Sequence, residues 1–144
     1  MTRPIAALVK DREGSAAIEF GIIAPIFLIM LLGVFQVGVW MQAYNAMRNA
    51  VATTARRVAV EYQTDNRLTD PQIANTGLAV ATTNPYMLDA DLIVVEVEAP
   101  SSQPFPGARQ LTLRLTYQMP SFLGFAGIMG PEVSYSRSLF LSET

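Results

Sequence analysis

The chain of 144 residues contains neither cysteine nor histidine. The lack of cysteine excludes disulfide bonds and thiolate metal ligands. The lack of histidine removes the commonest general base and the commonest side-chain metal ligand. Charged residues make up only 15% of the sequence, and the net charge of −2 does not suggest a nucleic-acid partner. We therefore expect a protein that is not an enzyme and has no metal, no cofactor and no small-molecule substrate.

A long apolar stretch stands out near the N-terminus. No side chain is polar from Phe20 to Phe35, and the stretch resumes after Gln36 and runs to Met41. As a helix, Phe20–Met41 would measure about 33 Å at ~1.5 Å per residue, and the core of a bilayer is about 30 Å thick. Trp40 lies at the far end, where amphipathic aromatic side chains favour the membrane interface. The stretch predicts a single transmembrane helix.

Three simpler interpretations of this stretch stay open: a buried core helix, a cleaved secretory signal and a plain uncleaved anchor. The stretch is long for the core of so small a domain. A secretory signal needs a site of two small residues separated by one other, and Ala43-Tyr44-Asn45 fits that pattern poorly. Basic residues do not settle the orientation by number, although those nearest the span favour a cytoplasmic N-terminus.

Two residues make the predicted anchor unusual. Glu19 stands at the start of the apolar stretch, where a carboxylate is unfavourable in lipid unless it stays at the interface or finds a partner. A negative charge is favoured near a helix N-terminus by about 0.3–1 kcal/mol. Pro25 lies inside the stretch and removes one backbone hydrogen bond, which predicts a local kink or a softened turn.

An apolar stripe with helical spacing continues beyond Trp40 and predicts one helix from about Ala16 to Tyr62. After a polar loop at 63–71, Asp70 fits an N-cap with Pro71 at the first helical position, so a short helix is expected from Pro71 to Thr83. Asp65 and Asp70 lack the glycine and the ligand spacing of a calcium loop. The stripe residues are Trp40, Tyr44, Met47, Val51, Ala55, Val58 and Tyr62.

Alternation of apolar and polar residues predicts three strands, within 91–99, 109–119 and 132–142. Three strands with one apolar face need a cover, and the amphipathic half of the long helix can supply it. The expected fold class is therefore α+β, with a small antiparallel sheet packed on the helix. Glu96 and Glu98 share the polar face of the first strand, which is typical of a solvated face rather than of a catalytic pair.

The segment PSFLGFAGIMGP, residues 120–131, is called the apolar loop below. Two interpretations stay open: a loop folded onto the core, or an apolar surface for a partner subunit or for the membrane surface. Its candidate contact residues are Phe122, Leu123, Phe125, Ile128 and Met129.

The junction before the apolar stretch has an informative pattern. Gly14 is followed by Ser15, and Glu19 and Phe20 lie directly before the apolar helix. This resembles the processing site of type IV pilin-like proteins, and in particular that of the TadE/TadF pseudopilins of the tight-adherence (Flp-type) pilus system. The resemblance covers residues 13–60 well, and Phe20 stands where the major pilins of this system carry Tyr. It implies that a prepilin peptidase cuts after Gly14, leaving Glu19 as the fifth residue of the mature chain.

The resemblance also implies the organisation of the protein and its partners. Residues 1–14 would be a leader, 15–41 a transmembrane and assembly helix, and 42–144 an extracytoplasmic head. The protein would be a minor pseudopilin of the bacterial inner membrane, with its N-terminus in the cytoplasm. Its partners would be the membrane, the prepilin peptidase, other pilins or pseudopilins and the pilus assembly platform. The alternative is an unprocessed single-span protein with a small sensor or binding head.

Overall fold

The computed structural model describes residues 12–64, 66–100 and 107–142. Two helices, α1 (Arg12–Gln63) and α2 (Asp70–Thr82), precede three strands, β1 (Ile93–Glu98), β2 (Ala108–Gln118) and β3 (Glu132–Ser142). The strands form an antiparallel sheet in the order β1-β2-β3. This confirms the expected α+β fold. Most of the proposed leader, residues 1–11, lies outside the described residues.

Helix α1 is continuous through the predicted transmembrane part and the predicted amphipathic part that follows it. It starts at Arg12, four residues before the expected Ala16, and ends at Gln63, one residue beyond Tyr62. Pro25 lies inside α1 without ending it, and the kink predicted there stays a prediction. Because a helix satisfies its backbone hydrogen bonds internally, α1 can cross an apolar layer and continue into the head without a break.

The core of the head lies between the second half of α1 and one face of the sheet. The apolar stripe of α1 supplies Met47, Val51 and Val58, all buried, and β2 supplies Leu113 and Leu115 from alternate positions. The alternation predicted for β2 is therefore confirmed, because burial follows the period of two that a strand imposes. On β1, Glu96 and Glu98 face solvent, as expected.

Helix α2 begins one residue earlier than predicted. Its N-cap is Thr69, not Asp70, and Pro71 is the second helical residue rather than the first. The backbone N–H of Thr69 donates to Oε1 of Gln72 at 2.8 Å, which is one half of a capping box. The predicted N-cap, Asp70, was wrong by one residue, because Asp and Thr are both favourable N-cap residues. The Thr-x-x-Gln spacing of a capping box distinguishes Thr69 from Asp70 here.

Glycine allows α2 to approach the sheet closely. A Cβ atom on Gly77 would lie 2.9 Å from Cγ1 of Val95 on β1, which is closer than carbon atoms normally come. The helix ends at Thr82, one residue before the predicted Thr83, and the following Asn84–Pro85 peptide is cis.

A polar cluster lies at one end of the sheet, distant from residues 20–41, which are called the apolar half of α1 below. Arg109 on β2 donates to Oη of Tyr62 at 2.6 Å and pairs with the carboxylate of Asp70. Tyr62 in turn donates to the backbone oxygen of Leu68 at 3.0 Å. One guanidinium group thus holds together the end of α1, the start of α2 and the start of β2.

We expect Arg109→Met to lower the free energy of unfolding of the head by about 1–2 kcal/mol, because it breaks charge-assisted hydrogen bonds that are only partly exposed. Arg114→Met is the matched control, since Arg114 forms a longer, more exposed pair with Glu98 at 3.6 Å. For that control we expect a loss below about 0.5 kcal/mol. Urea unfolding of the detergent-solubilised protein measures both values, and equal losses would contradict a special role for the Arg109 cluster.

Candidate functional site

The N-terminal junction lies on the exposed surface of α1. Gly14 is inside the helix, and a Cβ atom at this position would meet no atom within 4 Å. The hydroxyl of Ser15 donates to Oε1 of Glu19 at 3.4 Å. Residues four apart on a helix share a face, so the side chains of Ser15 and Glu19 lie close together. Phe20 is exposed and follows Glu19 directly.

The apolar half of α1 presents its side chains outward on all sides. Among the described residues, α1 contains the one stretch long and apolar enough, by length and composition, to cross a membrane. Nearly all of this stretch is exposed, whereas a core helix would be mostly buried. Large exposed apolar side chains include Ile22, Ile23, Ile26, Phe27, Leu28, Ile29, Met30, Leu31, Val34 and Phe35.

The structure also argues against a cleaved secretory signal. Ala43, in the poorly matching cleavage site, is buried in the core of the head, and α1 continues without interruption to residues that form that core. Cleavage there would expose the core and remove Trp40, which packs against it.

Gln36 is the exception within the apolar half, because its side chain is only 1% exposed. Its Nε2 donates to the backbone oxygen of Pro120 at 2.8 Å, and its Oε1 accepts from the backbone N–H of Phe122 at 2.7 Å. Nε1 of Trp40 donates to the same Pro120 oxygen at 2.9 Å. Gln36 and Trp40 therefore fasten the apolar loop to the far end of the apolar half.

In the sequence Gln36 only interrupts the apolar stretch, and its role as a site residue was not predicted. The signal that marks it is a single amide in an otherwise apolar helix, since a polar side chain at such a position normally has a specific partner. The identity of that partner could not be derived from the sequence, because Pro120 is 84 residues further along the chain.

The large apolar side chains of the apolar loop divide between the core and the surface. Leu123 is 4% exposed and packs inward, so it does not belong to the candidate contact surface. Phe122, Phe125, Ile128 and Met129 are exposed. The ring of Phe122 also lies 6.1 Å from that of Phe35 on α1, between centroids. Of these five side chains of the loop, Leu123 packs into the head and the other four are exposed.

Glu96 and Glu98, the two exposed carboxylates of β1, lie beside an arginine of β2. Glu96 stands opposite Arg114 in the β1–β2 register, and Glu98 pairs with that same arginine. In the described ranges, no group of three or more potential ligands is placed to hold a metal ion. Asp65 lies outside those ranges.

A match to a known family covers the junction and most of the helix that follows it. Residues 14–56 match the family model described as TadE-like protein. This match confirms the resemblance drawn from Gly14, Glu19 and Phe20, and it indicates a role related to the tight-adherence pilus. No curated protein matches the chain, and no solved structure matches it.

The TadE-like match has informative limits. It begins at Gly14 and ends at Arg56, inside α1, so it covers the apolar half and most of the amphipathic half. The sheet, α2 and the apolar loop lie outside it. The match therefore concerns most of α1 and gives no information about the rest of the head.

Proposed function

We propose that this protein is a minor pseudopilin of the tight-adherence pilus system, a non-enzymatic component of pilus biogenesis. It is held in the bacterial inner membrane by α1, with the N-terminus in the cytoplasm and the head outside. The observation that carries the proposal is the position of the TadE-like match, which starts at Gly14 and continues through the candidate span. Its partners are the membrane, a prepilin peptidase, other pilins or pseudopilins and the pilus assembly platform.

Processing between Gly14 and Ser15 is the first step of this function. A protease binds its substrate in an extended conformation, whereas Gly14 is helical here, so the helix must unwind locally before cleavage. Glycine favours that change, because it is about 0.8–1 kcal/mol poorer than alanine as a helix former. Its lack of a side chain also allows the scissile bond close approach to a cleft.

The new N-terminus explains the placement of Glu19. Cleavage gives Ser15 an α-amine, and the existing contact between Ser15 and Glu19 shows that the two residues share one helix face. At the membrane boundary an ion pair is stronger than on a fully hydrated surface, because the effective dielectric constant is lower. Glu19 can therefore neutralise its own amine or that of a neighbouring subunit, and the second pairing would set the axial stagger between subunits.

Intact-mass measurement of the membrane-extracted protein tests the proposal. In cells that contain the peptidase we expect a chain that starts at Ser15, and we expect Gly14→Leu to abolish this trimming. Gly21→Leu is the matched control, because a side chain at Gly21 also meets no atom within 4 Å and the cleavage site is unchanged.

A chain that still starts at Met1 in those cells would overturn the proposed processing. A protein that is stable in the membrane and ignores substitution of Gly14 would instead be an unprocessed single-span protein with a sensor or binding head.

A further inference from the structure

We propose that the apolar loop, residues 120–131, inserts into the bilayer leaflet on the side of the head and forms a second membrane contact beside α1. The proposal depends on α1 spanning a bilayer, but not on cleavage at Gly14 or on assembly into a pilus. It assigns Gln36 and Trp40 a positioning role, because their hydrogen bonds to Pro120 fix the position of the loop along α1 and so its depth in the bilayer.

The depth of the loop follows from its partners on α1. With Phe20 at one boundary, a hydrocarbon core of about 30 Å ends close to Trp40, at ~1.5 Å of rise per residue. Phe35 then lies about 7 Å inside the core. Since Phe122 packs on Phe35 and Pro120 is bound by Gln36 and Trp40, the base of the loop is at or below the interface.

The side chains of the loop suit this position. The segment from Pro120 to Pro131 contains no charged residue. Phe125 is 76% exposed and Met129 is 81% exposed, which is a costly arrangement in water and a favourable one in lipid. Glu132 follows immediately and is exposed, so the inserted segment ends at Pro131.

Internal hydrogen bonds satisfy part of the backbone of the loop, which favours insertion because lipid offers no partners. The N–H groups of Gly127 and Ile128 donate to Gly124 and Leu123 oxygens at 3.0 and 3.2 Å. The hydroxyl of Ser121, the polar side chain within the loop, donates to the backbone oxygen of Ile128 at 2.6 Å.

The two ends of the loop are also closed by hydrogen bonds. Met119 N–H donates to the Pro131 oxygen at 3.0 Å, and Gln118 donates to the Gly130 oxygen at 2.6 Å. Pro120 and Pro131 have no N–H group to satisfy.

We favour lipid over a neighbouring subunit as the occupant because the loop is continuous with the lipid-facing surface of α1. Phe122 extends the exposed face that includes Phe35, Val34 and Leu31. A bilayer already covers that face if α1 spans it, so no further partner is needed to cover the loop.

Single-cysteine spin labelling of the full chain in lipid nanodiscs tests the inference, and the chain has no native cysteine to remove. Phe125→Cys and Met129→Cys report on the loop. Phe140→Cys is the matched control, because Phe140 is a 57% exposed aromatic residue on β3 near the opposite end of the sheet. Ile26→Cys reports on the span itself. Collisions with oxygen, which concentrates in lipid, are compared with collisions with a water-soluble nickel complex.

We expect both loop labels to lose access to the nickel complex and to gain access to oxygen, as the Ile26 label does, while the Phe140 label stays accessible to nickel. Loop labels that behave like the Phe140 label while the Ile26 label is in lipid would overturn the inference and leave the anchor intact. An Ile26 label in water would instead overturn the membrane span. Shielding of the loop labels only after addition of other pilus subunits would assign the loop to a protein partner and contradict the inference.

Discussion

Replacement of Glu19 by alanine should leave the protein in the membrane and prevent its assembly. The span stays apolar without the carboxylate, so insertion needs no contribution from Glu19. Assembly is different, because an α-amine of Ser15 would then stay unpaired near the membrane boundary. Removal of one partner from a desolvated ion pair costs about 3–5 kcal/mol, which corresponds to a fall in assembly of roughly a hundredfold or more.

Counting of surface pili by electron microscopy, together with immunoblotting of the membrane fraction, measures the two outcomes separately. Glu19→Gln keeps a hydrogen-bond acceptor for Ser15 but loses the charge, so we expect it to fail like the alanine variant. Glu96→Ala removes an equal charge from the solvated face of β1 and should assemble normally. Normal piliation with Glu19→Ala would remove the proposed role of this residue.

Replacement of Gln36 by leucine should destabilise the head, although it makes the apolar half of α1 more hydrophobic. The variant leaves the N–H of Phe122 without its acceptor and removes one of two donors to the Pro120 oxygen. A buried polar group without a partner costs about 1–3 kcal/mol, in addition to the lost hydrogen bonds. We expect a loss of about 2–4 kcal/mol and a fall in Tm on the order of 10 °C.

Thermal unfolding of the purified protein in nanodiscs, followed by circular dichroism, checks this result. Gln42→Leu is the same substitution six residues later at an exposed position, and it should change the free energy of unfolding by less than about 0.5 kcal/mol. Similar Tm values for the two variants would contradict the proposed role of Gln36.

A double-mutant cycle between Gln36 and Trp40 sharpens that test. Both side chains donate to the oxygen of Pro120, so their effects should not be additive. Trp40→Phe keeps the aromatic packing and removes the donor. If the loss of unfolding free energy in the double variant equals the sum of the losses in the two single variants, the shared oxygen does not couple Gln36 and Trp40.

The two ends of the apolar half thus have different tasks. The end at Glu19 carries the charge that we propose pairs with a new amine, and the end at Gln36 carries an amide that binds the apolar loop. Both polar groups interrupt or border a segment that is otherwise uniformly apolar. In such a segment each polar side chain is a candidate for function, because its cost must be offset by a specific partner.

The sequence predicted the ends of helices and strands to within a few residues where apolar side chains recurred with a clear helical or strand spacing. The alternation of Leu111, Leu113 and Leu115 predicted β2 and its buried face, and β3 coincides with the expected 132–142. The error at α2 was one residue, and it arose because neighbouring Thr69 and Asp70 are both suitable N-caps. Local spacing therefore located the elements, with an error of four residues at the start of α1 and of one residue at the other three helix ends.

The sequence by itself determined the apolar span, the Gly14–Glu19 junction and the α+β composition of the head, because each depends on residues that are close along the chain. The tertiary structure alone decided that Gln36 and Trp40 bind Pro120, that Leu123 points inward and that Arg109 joins Tyr62 to Asp70. These contacts join residues about 40 to more than 80 positions apart or depend on which way a loop folds. No local period encodes such contacts, because they arise only when the sheet packs on α1 and places the apolar loop against the end of the predicted span.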